Sequence, residues 1–306
     1  MTMNAHDWDF ARYQASGQEG DVPVPGAVLR YRLAGPADAQ DVVVFENGWS
    51  APFPYAVWIE HALASKVRVL SYDRAGVGDS RSTQAPTTRS MTAQLLALLA
   101  HLGLRQPVVI AGHSYGGLLA ALHAAQAPER VRAIVQIDPT PELGDDLVDA
   151  AMRILPLSGR ILQLCALLGI DGPLFLDLDT DLPPEIFARV KRGRGWLARS
   201  LGGAIAEIRL LDEVRRLVGT SDAAKRCPRL VVSGTQRQVV TSWLQKLLVD
   251  EEKGRRYWRA VEDLHRRQAS FNDASRRVAL PYTHVRLVTC RAGAEAIASD
   301  LLAFIR

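Results

Sequence analysis

The sequence predicts an α/β protein, with a mostly parallel central sheet flanked by helices and a helical insertion in the chain. Three observations predict it. Through the first half, short β-branched apolar runs alternate with stretches of helical apolar spacing. Near residue 140 that alternation gives way to a Leu-rich tract without strand signals, and a strand-like run returns at 227–235. Strands separated by helices of ten to fifteen residues form βαβ units, which build a parallel sheet.

The elements follow in order. The run 27–35, AVLRYRLAG, alternates apolar and polar residues as an edge strand would. The runs 41–48 (DVVVFENG), 67–74 (VRVLSYDR), 107–114 (PVVIAGHS) and 131–139 (VRAIVQIDP) are almost continuously apolar. Such strands are buried on both faces, as in parallel sheets. Between them, 91–104 and 118–131 show helical spacing. From 141 to 225 the pattern is helical throughout, as in DDLVDAAMRILPLSGRILQLCALLGI. The strand at 227–235 is followed by a helical stretch at 241–271, a last strand at 276–281 and a closing amphipathic helix at 292–306. This organisation gives a core of residues 1–140 and 226–306, with 141–225 as a helical cap insertion.

Bulk properties exclude several classes. The chain has 306 residues, 48% apolar and 23% charged, with a net charge of +4. That suits one large globular unit and argues against wholesale disorder. The mild charge and scattered basic residues argue against nucleic acid as a partner. The densest basic run, Ala188–Trp196, reads as a solvated helix end or as a binding patch for a phosphate-bearing carrier. The three cysteines, Cys165, Cys227 and Cys290, are odd in number and lack metal-ligand spacing. The N-terminal residues lack a basic segment followed by an apolar one. Apolar stretches are interrupted before the roughly 18 residues that span a bilayer. The expectation is a cytoplasmic protein without a membrane span, a metal or an organic cofactor. Asp177, Asp179 and Asp181 lack the glycine and terminal glutamate of a calcium loop.

GHSYGG, Gly112–Gly117, follows a predicted strand and precedes a predicted helix. In G-x-S-x-G the serine sits on a sharp strand-to-helix turn that lifts its Oγ out of the sheet. Side chains two positions before and after would collide, so glycine is needed at both. With this motif the chain resembles the α/β-hydrolase superfamily. SYDRAGVGDS (71–80) is similar to that family's turn after the fourth strand, departing from it at Ala75, and reads as structural. VVVFENGWS (42–50) stands where the family has its oxyanion loop.

The resemblance implies a serine nucleophile, an acid and a histidine in that order, with two oxyanion amides. Ser114 is the implied nucleophile. The amides are those of Tyr115, next to it, and Trp49, after Asn47 and Gly48. Of seven histidines, His284 lies between the last strand and the closing helix, where the family places its base; the alternative is a surface-loop histidine. His265 lies in a charged helix, and His113 is expected to point away from Ser114. In most of the family the acid follows the strand at 229–234, but Arg237 occupies that position. A variant, as in pancreatic lipases, places it one strand earlier, which gives Asp138. Asp138 as a strand-end cap, Glu142 as the acid, or a dyad without an acid are the alternatives.

Leu155, Leu157, Ile161, Leu162, Leu164, Leu167 and Leu168 cluster in the insertion, as packing or as a lipophilic wall facing the nucleophile. The implied activity is hydrolysis of an ester, thioester or related apolar acyl substrate. A carrier-bound acyl group is a further candidate. Acyl transfer, lyase or C–C hydrolase chemistry on a natural product, and a catalytically weak ligand-binding protein, are the rival readings.

Overall fold

The computed structural model describes residues 8–168, 180–190, 193–236 and 251–306. Gly17–Val24 (β1) and Ala27–Ala34 (β2) pair antiparallel over their full length, from Gly17 opposite Ala34 to Val24 opposite Ala27. Pro25 and Gly26 make the turn; Gly26 takes φ 72°, which glycine adopts without strain. β1 carries two glycines, Asp21 and Pro23, poor strand residues in general. It forms because it is the outer strand, where proline's missing donor faces no partner. β2, expected at the edge, therefore lies one strand in.

Val42–Glu46 (β3), Arg68–Tyr72 (β4), Arg81–Ser82 (β5), Val108–His113 (β6), Val131–Ile137 (β7), Arg229–Gly234 (β8) and Arg276–Leu280 (β9) complete the sheet. Its order is β1-β2-β4-β3-β6-β7-β8-β9, with β5 attached to β2. β2 runs antiparallel to β1, β4 and β5, and all pairs from β4 to β9 are parallel.

The helices are α1 (Phe10–Ala15), α2 (Val57–Leu63), α3 (Thr88–His101), α4 (Tyr115–Gln126), α5 (Asp146–Arg153), α6 (Leu155–Leu168), α7 (Pro184–Val190), α8 (Arg194–Ile208), α9 (Leu211–Thr220), α10 (Asp222–Arg226), α11 (Glu251–Gln268), α12 (Arg286–Thr289) and α13 (Arg291–Ile305). The apolar strand residues divide between the faces with period two. Val44, Ile110 and Ile134 pack with Leu95 and Leu98 of α3, Leu118 and Leu122 of α4, and Val214 of α9. Val43, Phe45, Val109 and Val135 pack with Ile59 and Leu63 of α2 and Ile297 and Leu301 of α13. That division is why the strands read as continuous apolar runs.

Helices α5 to α10 follow β7 and precede β8. α9 and α10 join the core beside α4 through Leu211, Val214, Val218 and Ala224, whereas α6 and α8 pack on each other through Ala166, Leu197 and Leu201. Among the described residues, Asp146–Leu168 is a helical stretch long and apolar enough to cross a membrane by length and composition. It is the exception to the expected polar interruptions, although it holds Asp146, Asp149, Arg153 and Arg160. Its outward stripe exposes Ile154, Leu157, Ile161, Leu164, Leu167 and Leu168.

Candidate active site

Ser114 stands between β6 and α4 at φ 55° and ψ −121°, a conformation other residues rarely adopt. The surroundings over-determine it. Its amide donates to Ile137 O at 2.9 Å, and its carbonyl accepts from Gly117 N at 3.0 Å and Thr140 N at 2.9 Å. The glycines are demanded by contact. A Cβ on Gly112 would lie 2.2 Å from Gly116 O, and one on Gly116 would lie 2.2 Å from Glu46 O. The first methyl group would force α4 away from the end of β6, and the second would push the elbow off the end of β3.

Asp138 follows β7 and also has positive φ, 44°. Its amide donates to Val232 O at 2.6 Å, and its Oδ1 accepts from Gly234 N at 3.0 Å. The other oxygen, Oδ2, lies 2.6 Å from His284 Nδ1. Asp138 is 5% exposed at its side chain and His284 28%, so the acid is sealed while the imidazole reaches solvent. Burial alone raises the Asp138 carboxyl. The hydrogen bond and charge of His284, with His265 and the Gly234 amide, outweigh it and hold the group below the ordinary carboxylate value.

Two more histidines surround this pair. His113 Nε2 lies 2.9 Å from the carbonyl of His284, so that nitrogen carries the proton and donates. Its ring packs 4.5 Å from the His284 ring. Burial, with the nearby His284, lowers the His113 pKa to about 3 and keeps it neutral. His113 thus braces the loop that carries His284, and it lines the same cavity as Ser114. His265 Nε2 donates to Pro139 O at 2.9 Å, beside Asp138, and its Nδ1 lies 3.1 Å from Ser233 Oγ. Helical spacing carries the signal for His265, since Val261, Leu264, His265 and Gln268 form one buried stripe of α11. Glu142 is elsewhere. It is buried against Arg229 Nη1 at 2.7 Å and Gln136 Nε2 at 2.8 Å, and so is not placed on His284.

The loop after β3 comes up beside the elbow; a Cβ on Gly48 would lie 3.4 Å from Ser114 Cβ. Arg74 holds the loop from behind. Its Nη1 donates to Asn47 O at 2.7 Å and its Nη2 to Gly48 O at 3.1 Å. Asp73 shapes the turn that presents Arg74, accepting from Phe53 N and Asp79 N, each at 2.7 Å. Gly76 and Gly78 in that turn have φ 81° and 56°. The turn is thus structural, as its sequence suggests, but its arginine reaches the loop next to Ser114.

A cavity of about 480 Å³ opens over these groups, at the C-terminal ends of the parallel strands. Ser114, Tyr115, Trp49, Asp138 and His284 all line it. Leu155 and Leu162 of α6, Leu197 and Leu201 of α8, and Tyr257 and Trp258 of α11 form much of its apolar wall. The leucine cluster therefore splits: Leu155 and Leu162 face the cavity, and Leu157, Ile161, Leu164, Leu167 and Leu168 face outward. In the basic run, Arg189 is bound to Glu19, with Nη2 2.7 Å from Oε2. Asp181 lies 3.4 Å from Arg286 Nη2. His6, Asp177, Asp179, Lys191, Arg192, Arg237 and Asp250 lie outside the described residues.

A family model described as the alpha/beta hydrolase fold matches residues 41–166. The sn-1-specific diacylglycerol lipase ABHD11 of Mus musculus is 33% identical over 136 residues, 43% of this chain and 43% of that protein. Lipase LipV of Mycobacterium tuberculosis H37Rv is 30% identical over 182 residues, 55% of this chain and 65% of that protein. The chain spans less than two thirds of the length of these two relatives. The crystal structure of the enol-lactonase from Burkholderia xenovorans LB400 matches with a TM-score of 0.63 at 19% identity, covering 94% of this chain and 99% of that one. That likeness is one of fold. Together with the sheet order and the strained serine turn, it shows that the chain has the α/β-hydrolase fold.

Proposed function

We propose that this protein is a serine hydrolase that cleaves an ester, thioester or related apolar acyl substrate through an acyl-enzyme on Ser114. The observation that carries the reading is the His284–Asp138 pair, 2.6 Å apart, opening onto the same cavity as the strained serine. Asp138 accepts from Nδ1–H, which leaves Nε2 of His284 as the lone-pair nitrogen able to act as base. Ser114 Oγ adds to the acyl carbon, its proton passes to His284, and the carbonyl π pair moves onto oxygen. The Tyr115 and Trp49 amides receive that oxyanion; one such donor is worth about 3 kcal/mol. His284 then protonates the leaving group. Water, deprotonated by the same nitrogen, releases the acid and restores the serine.

Residues 141–225 act as the cap, and its helices α5, α6, α7 and α8 line the cavity through Met152, Leu162, Val190 and Leu197. Its apolar wall selects an apolar acyl chain. The lipase names of the two curated relatives agree with that class. Because Arg189 is already bound to Glu19, the basic run offers a carrier phosphate less than its composition suggests.

The test is fluorophosphonate labelling, in which a serine Oγ displaces fluoride from phosphorus. Wild type is expected to label and Ser114→Ala not to label. A panel of p-nitrophenyl esters and acyl thioesters, with water or an amine as acceptor, then separates hydrolysis from transfer. A folded wild-type protein that resists labelling refutes the nucleophile.

A further inference from the structure

We propose that one turn of α8, Ala204 to Glu207, is the positioning element for both oxyanion amides. The insertion then sets the rate of the reaction as well as its selectivity. This rests on the reading of Ser114 as the nucleophile.

Three side chains converge on that turn. Trp49 Nε1 donates to Ala204 O at 2.8 Å. Tyr115 Oη donates to Glu207 O at 3.1 Å. The Glu207 carboxylate accepts from Arg74 Nε at 2.9 Å and Nη2 at 3.0 Å, and the same guanidinium holds the Asn47 and Gly48 carbonyls. The two amide carriers come from separate elements, the β3 loop and the start of α4. Each is fastened by its side chain, so the bond limits where its backbone amide sits. Glu207 lies in the last turn of α8, and its carbonyl accepts from Leu210 N at 2.9 Å as well as from the Tyr115 hydroxyl, a carbonyl oxygen having two lone pairs.

The turn is itself fixed to the core. A Cβ on Gly203 would lie 2.3 Å from Gly76 O, so α8 rests directly on the turn that presents Arg74. Its cavity side carries Leu197, Ser200, Leu201 and Ile208. An acyl chain lying along those side chains presses on the helix that holds the oxyanion residues. Stability is a weak account of the network, because buried ion pairs add little net stability after desolvation. Glu207 and Glu46 both lie buried against Arg74. A role in geometry accounts for them better.

The experiment compares two ketones of the same acyl chain. The trifluoromethyl ketone adds Ser114 to form an anionic hemiketal, with the oxygen held where the oxyanion forms. The methyl ketone binds without stabilised addition and reports the pocket alone. Tyr115→Phe removes one hydroxyl and keeps the amide; Glu207→Gln removes the charge that holds Arg74. Each is expected to weaken the trifluoromethyl ketone by roughly 10-fold to 100-fold, the scale of a small misplacement of catalytic groups. The methyl ketone should change by less than about twofold. Glu60→Gln, which breaks the buried pair with Arg32 away from the cavity, should lower thermal stability and leave the ratio of the two affinities unchanged. If Glu207→Gln does not fold, Tyr115→Phe decides. An unchanged ratio in the variants, on a wild type that forms the adduct, overturns the positioning role alone. A wild type that forms no adduct overturns the nucleophile reading, and this inference with it.

Discussion

Replacing Asp138 by asparagine tests the proposed acid with little change in shape. Gly234 N donates to Oδ1 at 3.0 Å, so the asparagine carbonyl takes that position. Its NH2 group then occupies the Oδ2 position, 2.6 Å from His284 Nδ1 in the native protein. Two donors cannot face each other there. The imidazole must leave Nδ1 unprotonated and carry its proton on Nε2, the nitrogen that should accept from Ser114. The same change in serine proteases costs about 10⁴-fold in kcat, and each tenfold corresponds to about 1.4 kcal/mol of barrier. The expected loss in kcat on a short p-nitrophenyl ester is therefore about 10⁴-fold, with KM little altered. Glu142→Gln is the contrasting arm. It breaks a buried pair with Arg229, so it should destabilise the fold by about 3–5 kcal/mol while leaving kcat of the folded fraction near wild type. An Asp138→Asn enzyme within tenfold of wild type, or a Glu142→Gln enzyme as crippled in kcat, refutes the assignment.

Two further outcomes follow from the same geometry. Ser114→Gly should be more stable than Ser114→Ala by about 1 kcal/mol, since φ 55° with ψ −121° suits glycine alone and the strain of about 1–3 kcal/mol exceeds glycine's entropic cost. Urea midpoints measure it, and equal midpoints would show the turn to be unstrained. His113, neutral in the fold with a pKa near 3, is protonated in the unfolded chain below pH 6.5. A depressed folded pKa gives stability that is present above pH 6.5 and lost as pH falls, at about 1.4 kcal/mol per unit. By pH 5 wild type should lose about 2 kcal/mol more than His113→Gln does, and parallel stability curves for the two proteins would contradict this.

The sheet and the elbow are legible in the sequence because each is enforced locally. The strands at 42–46 and 108–113 are apolar on both faces, and Gly112 and Gly116 are required by contacts within and beside the elbow. β1 is not legible in the same way. Its glycines and Pro23 read as turn chemistry, and only its place at the sheet edge, beside all of β2, makes it a strand. His265 stands among charged neighbours at 262, 263, 266 and 267, and only its helical spacing with Val261, Leu264 and Gln268 marks it as buried. The reach of Arg74 to the loop after β3, and of Ala204 and Glu207 to Trp49 and Tyr115, joins residues far apart in the chain. No local pattern encodes such contacts.

The aspartate-to-arginine departure at position 237 weakens the case for catalysis only if the acid must lie after β8 in sequence. The sheet removes that requirement. β7 lies directly between β6 and β8, so its end is flanked by the elbow on one side and by the usual acid's strand on the other. Asp138 is pinned to that strand, with its amide on Val232 O and its Oδ1 on Gly234 N. His265 fixes the next carbonyl, that of Pro139, from α11. The carboxylate thus reaches the His284 loop from the end of β8 although the chain delivers it from β7. What the histidine meets is a buried carboxylate held by a β8 amide, whichever strand supplies the residue. A positive φ at Asp138 is the backbone cost of that delivery, and it parallels the strain at Ser114. Two strained residues at adjacent strand ends, each held by several backbone bonds, are hard to explain as turns alone. In the proposed reading, with Asp138 as the acid and Ser114 as the nucleophile, both have a reason to persist.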